Sequence, residues 1–317
     1  MIQLKGVHLL LSYACNFECD HCFVWSSPRQ QGTMTLETIR TILRQSSELG
    51  SVEWIYFEGG EPFLYYAALL KGVQLAAESG HRVGLVTNTF WATSEEDALE
   101  NLRPFAGLIQ DLSISSDLFH FDEKQSRQSQ YVKKAAETLS IPLGVISIAS
   151  PEDEGVSASL GKLPEGESAV MYRGRAAVTL TGAAPKSPWH EFTECPHEEL
   201  TDPGRVHIDP LGYVHLCHGI TLGNVFESSL AEICAAYDPM THPIVGPILT
   251  GGPAELARRY QVSVADAYAD ECHLCYETRR ALRTRLPEIL APDQMYGDPP
   301  DSTCTGQGHV STETRKR

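Results

Sequence analysis

Two hydrophobic periods alternate over the first 180 residues. Short runs rich in β-branched and aromatic residues at 7–13, 52–57, 82–87, 108–115, 143–148 and 169–172 predict six strands. Helical spacing fills gaps between them. Leu36, Ile39, Ile42, Leu43 and Leu49 make one apolar stripe, and Gly50 is placed to end that helix. Thr93-Ser94-Glu95-Glu96 predicts a capping box at the start of another helix. A longer helix over 125–139 stops ahead of Pro142. The stretch 151–167 is rich in Glu and Gly and has no clear period, so it reads as helix or loop.

Strand alternating with helix six times implies parallel strands joined by right-handed crossovers. The fold class is therefore α/β, a partial (β/α)6 TIM-like barrel rather than a closed eight-fold one. Barrel chemistry gathers at the C-terminal ends of the strands. Cys15–Cys22 follow the first predicted strand, Gly59-Gly60-Glu61-Pro62 the second, Thr87-Asn88-Thr89 the third, Ser115-Ser116-Asp117 the fourth and Arg173-Gly174-Arg175 the sixth. Polar and glycine-rich residues thus collect at one rim.

The texture changes after residue 185. A linker-like Pro185-Lys186-Ser187-Pro188 precedes a hairpin over 205–216 with its turn at Asp209-Pro210-Leu211-Gly212. A helix is predicted over 228–237, then a Pro/Gly-rich passage over 239–253, then helical text from 254 through 286. The expected division is a barrel over 1–186, a small hairpin-and-helix domain over 187–290 and a loose tail over 291–317. There is no internal repeat.

Charge and cysteine usage narrow the function. The 317 residues carry 41 Asp and Glu against 25 Lys and Arg, a formal charge of −16. That balance argues against a nucleic-acid partner and against docking on anionic lipid. No apolar run approaches the roughly 18–20 residues of a membrane-spanning helix. Lys5, the apolar stretch 7–11 and Cys15 faintly suggest a lipoprotein signal, but Tyr13 stands where a small residue is wanted. A first strand fits better, and a cytoplasmic protein is expected. Thiols stay reduced there, so nine cysteines, most of them clustered, point to metal or redox chemistry.

Cys15-x3-Cys19-x2-Cys22 puts three thiolates on one tight loop. Such ligands hold iron–sulfur clusters or zinc. Three ligands on a four-iron cube leave one iron open for substrate, whereas zinc would need a fourth ligand, for which His21 is the nearest candidate. The C-x3-C-x-aromatic-C pattern after a first strand, with His21 at the aromatic position and Gly59-Gly60-Glu61-Pro62 after the second, resembles the radical S-adenosylmethionine (SAM) superfamily. The resemblance covers roughly residues 5–180. It implies a [4Fe-4S] cluster on Cys15, Cys19 and Cys22, with SAM chelating the free iron. It also implies that Gly59 and Gly60 let backbone approach the methionine end, that Glu61 accepts from its ammonium, and that Asn88, Ser115 and Arg175 hold ribose or carboxylate. A SAM-derived radical would then take hydrogen from substrate. Asp117 and His120, on the same rim, are candidates for a general base or substrate contact.

Cys195, then Gly212-x4-Cys217, then Cys272-x2-Cys275 resembles the C-terminal SPASM/twitch extension of such enzymes. Ala281 and Arg285 stand where a full SPASM domain has further cysteines, so the twitch-like form with one auxiliary [4Fe-4S] cluster fits. Four thiolates would close that cluster and suit it to electron transfer; a structural zinc is the alternative. Cys234 reads as a buried hydrophobe, and Cys304 as a tail thiol or a hydrogen-atom donor. Arg279, Arg280, Arg283 and Arg285 suggest a docking patch for a flavodoxin- or ferredoxin-type electron donor. Substrate stays open between a peptide and a small molecule undergoing dehydrogenation. The competing reading is a non-catalytic zinc-binding scaffold or an inactive family member.

Overall fold

The computed structural model describes residues 2–298 except 124, 154, 164 and 165. Its first half alternates strand and helix: β1 (Gly6–Ser12), α1 (Leu36–Leu49), β2 (Trp54–Gly59), α2 (Tyr66–Glu78), β3 (Arg82–Thr87), α3 (Glu95–Leu102), β4 (Asp111–Ser115), α4 (Arg127–Thr138) and β5 (Leu143–Ile146). There follow α5 (Ala176–Thr179), β6 (Ser187–Pro188), β7 (Arg205–Ile208), β8 (Tyr213–Cys217), β9 (Ile220–Asn224), α6 (Leu230–Ala236), α7 (Val245–Tyr260), β10 (Ala267–Tyr268) and α8 (Glu271–Leu282). One eight-stranded sheet runs β5-β4-β3-β2-β1-β7-β8-β9. Strands β1 to β5 and β7 are parallel, and β8 and β9 continue antiparallel. This is the α/β partial-barrel architecture expected, with one strand reassigned.

The sixth parallel strand is β7 beside β1, and 169–172 forms no strand. The backbone of that segment is spent elsewhere. Ala169 N–H donates to the Ser157 carbonyl at 3.2 Å, and Tyr172 N–H to Asp270 Oδ2 at 3.0 Å. The predicted hairpin thus feeds the barrel sheet itself, which draws strands from both sides of residue 186.

Helix boundaries follow local chemistry. Thr35 caps α1 by accepting from Thr38 N–H, and Gly50 ends it at φ 73°. The cap of α3 is Ser94, accepting from Asp97 N–H, one residue beyond the predicted box. Helix α7 begins inside the Pro/Gly-rich passage and breaks at Gly251-Gly252. The predicted tail starts too early: Asp293–Tyr296 forms a 3-10 turn whose Met295 and Tyr296 are buried. Tyr296 Oη donates to the Gly219 carbonyl at 2.7 Å, which pins the turn against β8–β9. Cys304 lies outside the described residues. No described helix is long and apolar enough to cross a membrane.

Strand alternation sorts the two faces of the sheet. Val7, Leu9, Leu11, Ile55 and Phe57 face the helices and join Ile39, Ile42 and Val73 in the main core. The opposite face carries His8, Glu58, Ser115 and His207, which line a cavity of about 280 Å³.

Candidate active site

The cysteine loop leaves the C-terminal end of β1 and folds over the cavity. Cys22 N–H donates to the Cys19 carbonyl at 3.1 Å, closing a tight turn, and Cys15 N–H donates to the Ser27 carbonyl at 3.1 Å. All three cysteines line the cavity. Two of the sulfurs are already provided with donors: Phe17 N–H reaches Cys15 Sγ at 3.4 Å, Asn88 Nδ2 reaches it at 3.6 Å, and Ser26 N–H reaches Cys22 Sγ at 3.3 Å. Burial pushes the Cys15 thiol up to about 12 and the Cys19 thiol further still, with the neighbouring thiols adding to the rise. Thiolates this buried need the positive charge of a metal to ionise. The donor set and the hydrogen bonds to sulfur fit an iron–sulfur cluster.

The glycines after β2 are required by backbone crossing. A Cβ on Gly59 would sit 2.7 Å from the Ser12 carbonyl oxygen, and one on Gly60 2.1 Å from that of Ala14. Both glycines also line the cavity. Glu61 does not, which corrects its expected role as an ammonium acceptor. Its carboxylate is fully buried and turned into the protein, accepting from Phe63 N–H at 3.0 Å, Thr87 Oγ1 at 2.9 Å and Asn88 N–H at 2.7 Å. It ties the end of β2 to the end of β3. Burial lifts its pKa to about 7 despite those donors. Pro62 is buried at the start of the 3-10 turn that Glu61 caps. Asn88 meets expectation in place, since it lines the cavity and bonds both Cys15 and Asn16.

Ser115 lines the cavity at the end of β4. Arg175 does not face it. Its guanidinium donates to the Cys19 carbonyl at 2.6 Å and to the Ser26 carbonyl at 2.7 Å, so it braces the cysteine loop from behind. Asp117 is fully buried, with Oδ1 2.7 Å from His120 Nδ1 and Oδ2 3.7 Å from His21 Nε2. It also accepts from the N–H groups of Phe119, His120 and Ile148. Burial alone would raise its pKa, but the two imidazoles hold it well below the usual range. A carboxylate so committed is a brace rather than a base. His120 and His21 do line the cavity.

The second cysteine set assembles as expected. Cys195, Cys217, Cys272 and Cys275 line a small cavity of about 30 Å³ together with Arg173, Glu198 and Arg279. The four cysteines come from a loop, β8 and the first turns of α8. Arg279 is buried and donates to the His218 carbonyl at 2.8 Å. Arg283 pairs with Asp293 and Asp298, and Arg285 donates to the Tyr260 carbonyl. The expected arginine patch therefore dissolves, because α8 ends at Leu282 and the arginines beyond it are held by separate partners. Cys234 is a buried core residue, as read.

Sequence reasoning missed the cavity's other wall. Arg173 lines both cavities, 2.9 Å from Glu198 Oε1 and 3.7 Å from Cys217 Sγ, with its guanidinium 4.1 Å over the Phe23 ring. His8, Glu58, His207 and His218 complete that wall. A partial signal was present: His8 and Ser12 of β1, Tyr56 and Glu58 of β2, and Arg205 and His207 of β7 stand on alternate positions of their strands.

Residues 9–138 match the family model described as the radical SAM superfamily. A Bacillus subtilis (strain 168) protein named for peptide biosynthesis, YydG, is 32% identical over 117 residues, covering 37% of each chain. An S-adenosylmethionine-dependent nucleotide dehydratase of Fibrobacter sp. (strain UWH6) is 26% identical over 117 residues, covering 34% of this chain and 32% of that one. The matches span about a third of these relatives' length. Among solved structures, BtrN in complex with AdoMet and 2-DOIA superposes with a TM-score of 0.51 at 17% identity, over 74% of this chain and 83% of that one. Residues 9–138 are thus similar to the radical SAM superfamily, whose members are enzymes that use a [4Fe-4S] cluster and SAM.

Proposed function

We propose that the chain cleaves SAM reductively and abstracts a hydrogen atom from a peptide substrate. The carrying observation is the set of three cysteine sulfurs on one loop, over a cavity large enough for a ligand. Cys15, Cys19 and Cys22 would hold the [4Fe-4S] cluster; when bound, it supplies the electron that splits SAM into methionine and a 5′-deoxyadenosyl radical. Gly59, Gly60, Asn88 and Ser115 form the wall against which SAM packs. Glu61 and Arg175 hold that wall and the cysteine loop in register, and the apolar core behind the sheet keeps water from the rear. His120 and His21 face the cavity as substrate contacts.

Cys195, Cys217, Cys272 and Cys275 would hold an auxiliary [4Fe-4S] cluster in a twitch-like extension that follows residue 186 and shares the barrel sheet through β7–β9. Sulfurs around a lone zinc lie roughly 3.8 Å apart. Among the described residues, the ligand sets gathered within 4.8 Å are two His–carboxylate groups, and neither cysteine set is one of them. This wider spacing supports a cluster over zinc. Two buried guanidiniums, Arg173 and Arg279, offset the charge of four thiolates. A closed cluster there suits electron transfer, fed or drained by a flavodoxin- or ferredoxin-type donor in the cytoplasm. The peptide reading is supported by the match to YydG; oxidation of a small molecule is the second reading, favoured by the polar inner wall.

Anaerobic reconstitution tests this. Iron, sulfide and zinc are counted per chain, and 5′-deoxyadenosine is measured after dithionite and SAM. The expected result is about eight irons and SAM cleavage. One zinc would remove the auxiliary cluster, and no iron with no deoxyadenosine would overturn the proposal.

A further inference from the structure

Glu58 lies on the inner wall between two imidazoles. Its Oε1 is 3.3 Å from His8 Nδ1 and 3.1 Å from His207 Nε2. The three ligand atoms lie within 4.8 Å of one another. Parallel pairing explains the convergence. His8 of β1 is in register with His207 of β7, and Leu10, the next inward position, with Glu58 of β2. Three adjacent strands therefore aim one ligand each at the same point, and strands hold such a set more tightly than loops do.

A second set, His21, Asp117 and His120, also brings its ligand atoms within 4.8 Å of one another. Its carboxylate, however, is consumed by three backbone N–H groups. Glu58 has no such donors among the described residues; its contacts are the two imidazoles. His8 Nδ1, the nitrogen that faces Glu58, is buried and has no hydrogen-bond partner of good geometry among the described residues, and His207 is 7% exposed. Buried polar atoms without partners call for an explanation, an ion being one. The His8 ring is also locked, stacked on Tyr56 at 4.6 Å and 13°.

We propose that His8, Glu58 and His207 bind a divalent first-row transition-metal ion. Two imidazoles and one carboxylate are the ligand set of a facial triad that leaves coordination positions open. Ligand atoms around such an ion lie roughly 3 Å apart, given metal–ligand bonds of about 2.1 Å. The open positions would face the cavity and take an oxygen ligand such as a carbonyl, carboxylate or hydroxyl of the substrate. The site stands apart from the SAM reading, because binding is read without turnover.

The test uses Mn²⁺, which favours carboxylate and imidazole ligands over thiolates. Anaerobically prepared protein with its iron content measured is titrated with Mn²⁺, and EPR counts the free ion. One bound Mn²⁺ per chain is expected, with nitrogen couplings from two imidazoles in the pulsed EPR spectrum of the wild type. Glu58→Gln and His207→Ala should each weaken binding by more than the roughly 10–100-fold that outer-shell changes cost, at unchanged iron content and circular dichroism. Substoichiometric binding, a bound ion without nitrogen coupling, or wild-type affinity in both well-folded variants would each overturn the proposal.

Discussion

The two cysteine sites are built in opposite ways. The first takes all its sulfurs from one loop and opens onto a cavity of about 280 Å³; the second gathers four from three distant segments around about 30 Å³. The first is braced from behind by Arg175 on backbone carbonyls, which leaves its face free. The second is packed directly against two buried guanidiniums. A site open on one side can exchange ligands; one enclosed by its own protein can pass electrons. Arg173 lies between them, lining both cavities.

The sharpest way to break this contrast is to remove one site at a time. Cys19→Ala should abolish deoxyadenosine formation and remove about half of the iron, because three ligands on one loop leave no spare. Cys272→Ala should lose a similar share of iron yet keep SAM cleavage, with substrate turnover lost instead. Iron analysis and product chromatography on both variants read this directly. If Cys272→Ala also stopped SAM cleavage, the division of labour would be wrong.

A second expectation concerns Arg173. It is buried and paired with Glu198, which is also buried, and Arg205 reaches the same carboxylate at 3.2 Å. Arg173→Met leaves that carboxylate with one partner, at 40% exposure on the arginine side. Breaking a buried pair this way costs roughly 3–5 kcal/mol. Chemical denaturation should show the loss. The reduction potential of the second site should also fall, because a cation beside it has gone.

How much of this was legible in the chain depends on what each feature needed. The cysteine loop, the glycines after β2 and the second cysteine set are local spacings, and a sequence shows spacing. The source of the sixth parallel strand was not legible. The continuous apolar run at 169–172 reads as a buried strand at least as well as the alternating β7 does, and only its competing bonds to Ser157 and Asp270 take it out of the sheet. Glu61 and Arg175 were placed at the right rim but aimed wrongly, because side-chain direction there depends on which donors and carbonyls lie behind the loop. Arg173 is separated from Arg175 by Gly174 alone and has the opposite outlook in space.

The braces of the two sites should respond to pH in opposite directions. Glu61, beside the first, is lifted by burial from an ordinary 4.5 to about 7. The unfolded chain releases that proton first, so its contribution is full below about 4.5 and fades as pH rises to about 7. The shift corresponds to about 3 kcal/mol at its limit. Burial would also raise Glu198, but Arg173 and Arg205 outweigh it and hold the group below 4.5. Its contribution is present above that value and is lost as pH falls. Glu61→Gln should therefore flatten the neutral side of the stability profile, and Glu198→Gln the acid side. The first variant also turns an amide N–H toward backbone donors, at a cost of about 1–3 kcal/mol. Denaturation midpoints across pH 4 to 8, roughly the span over which these groups titrate, would decide; parallel profiles in both variants would sink the comparison.

The smallest effect belongs to the surface next to the second site. Arg280 pairs with Glu277 at 3.8 Å, the arginine exposed and the carboxylate half-buried. Such i,i+3 pairs contribute little, and Arg280→Glu should change stability by no more than about 0.5 kcal/mol. Reduction by a flavodoxin-type donor should also keep its rate and its salt dependence, because the arginines around it point elsewhere: Arg279 inward, Arg283 to Asp293 and Asp298, Arg285 to Tyr260. Stopped-flow reduction at two ionic strengths measures this. A large drop in rate at low salt would restore the docking patch that these separate contacts take apart, and would place the donor beside α8 rather than over the open cysteine loop.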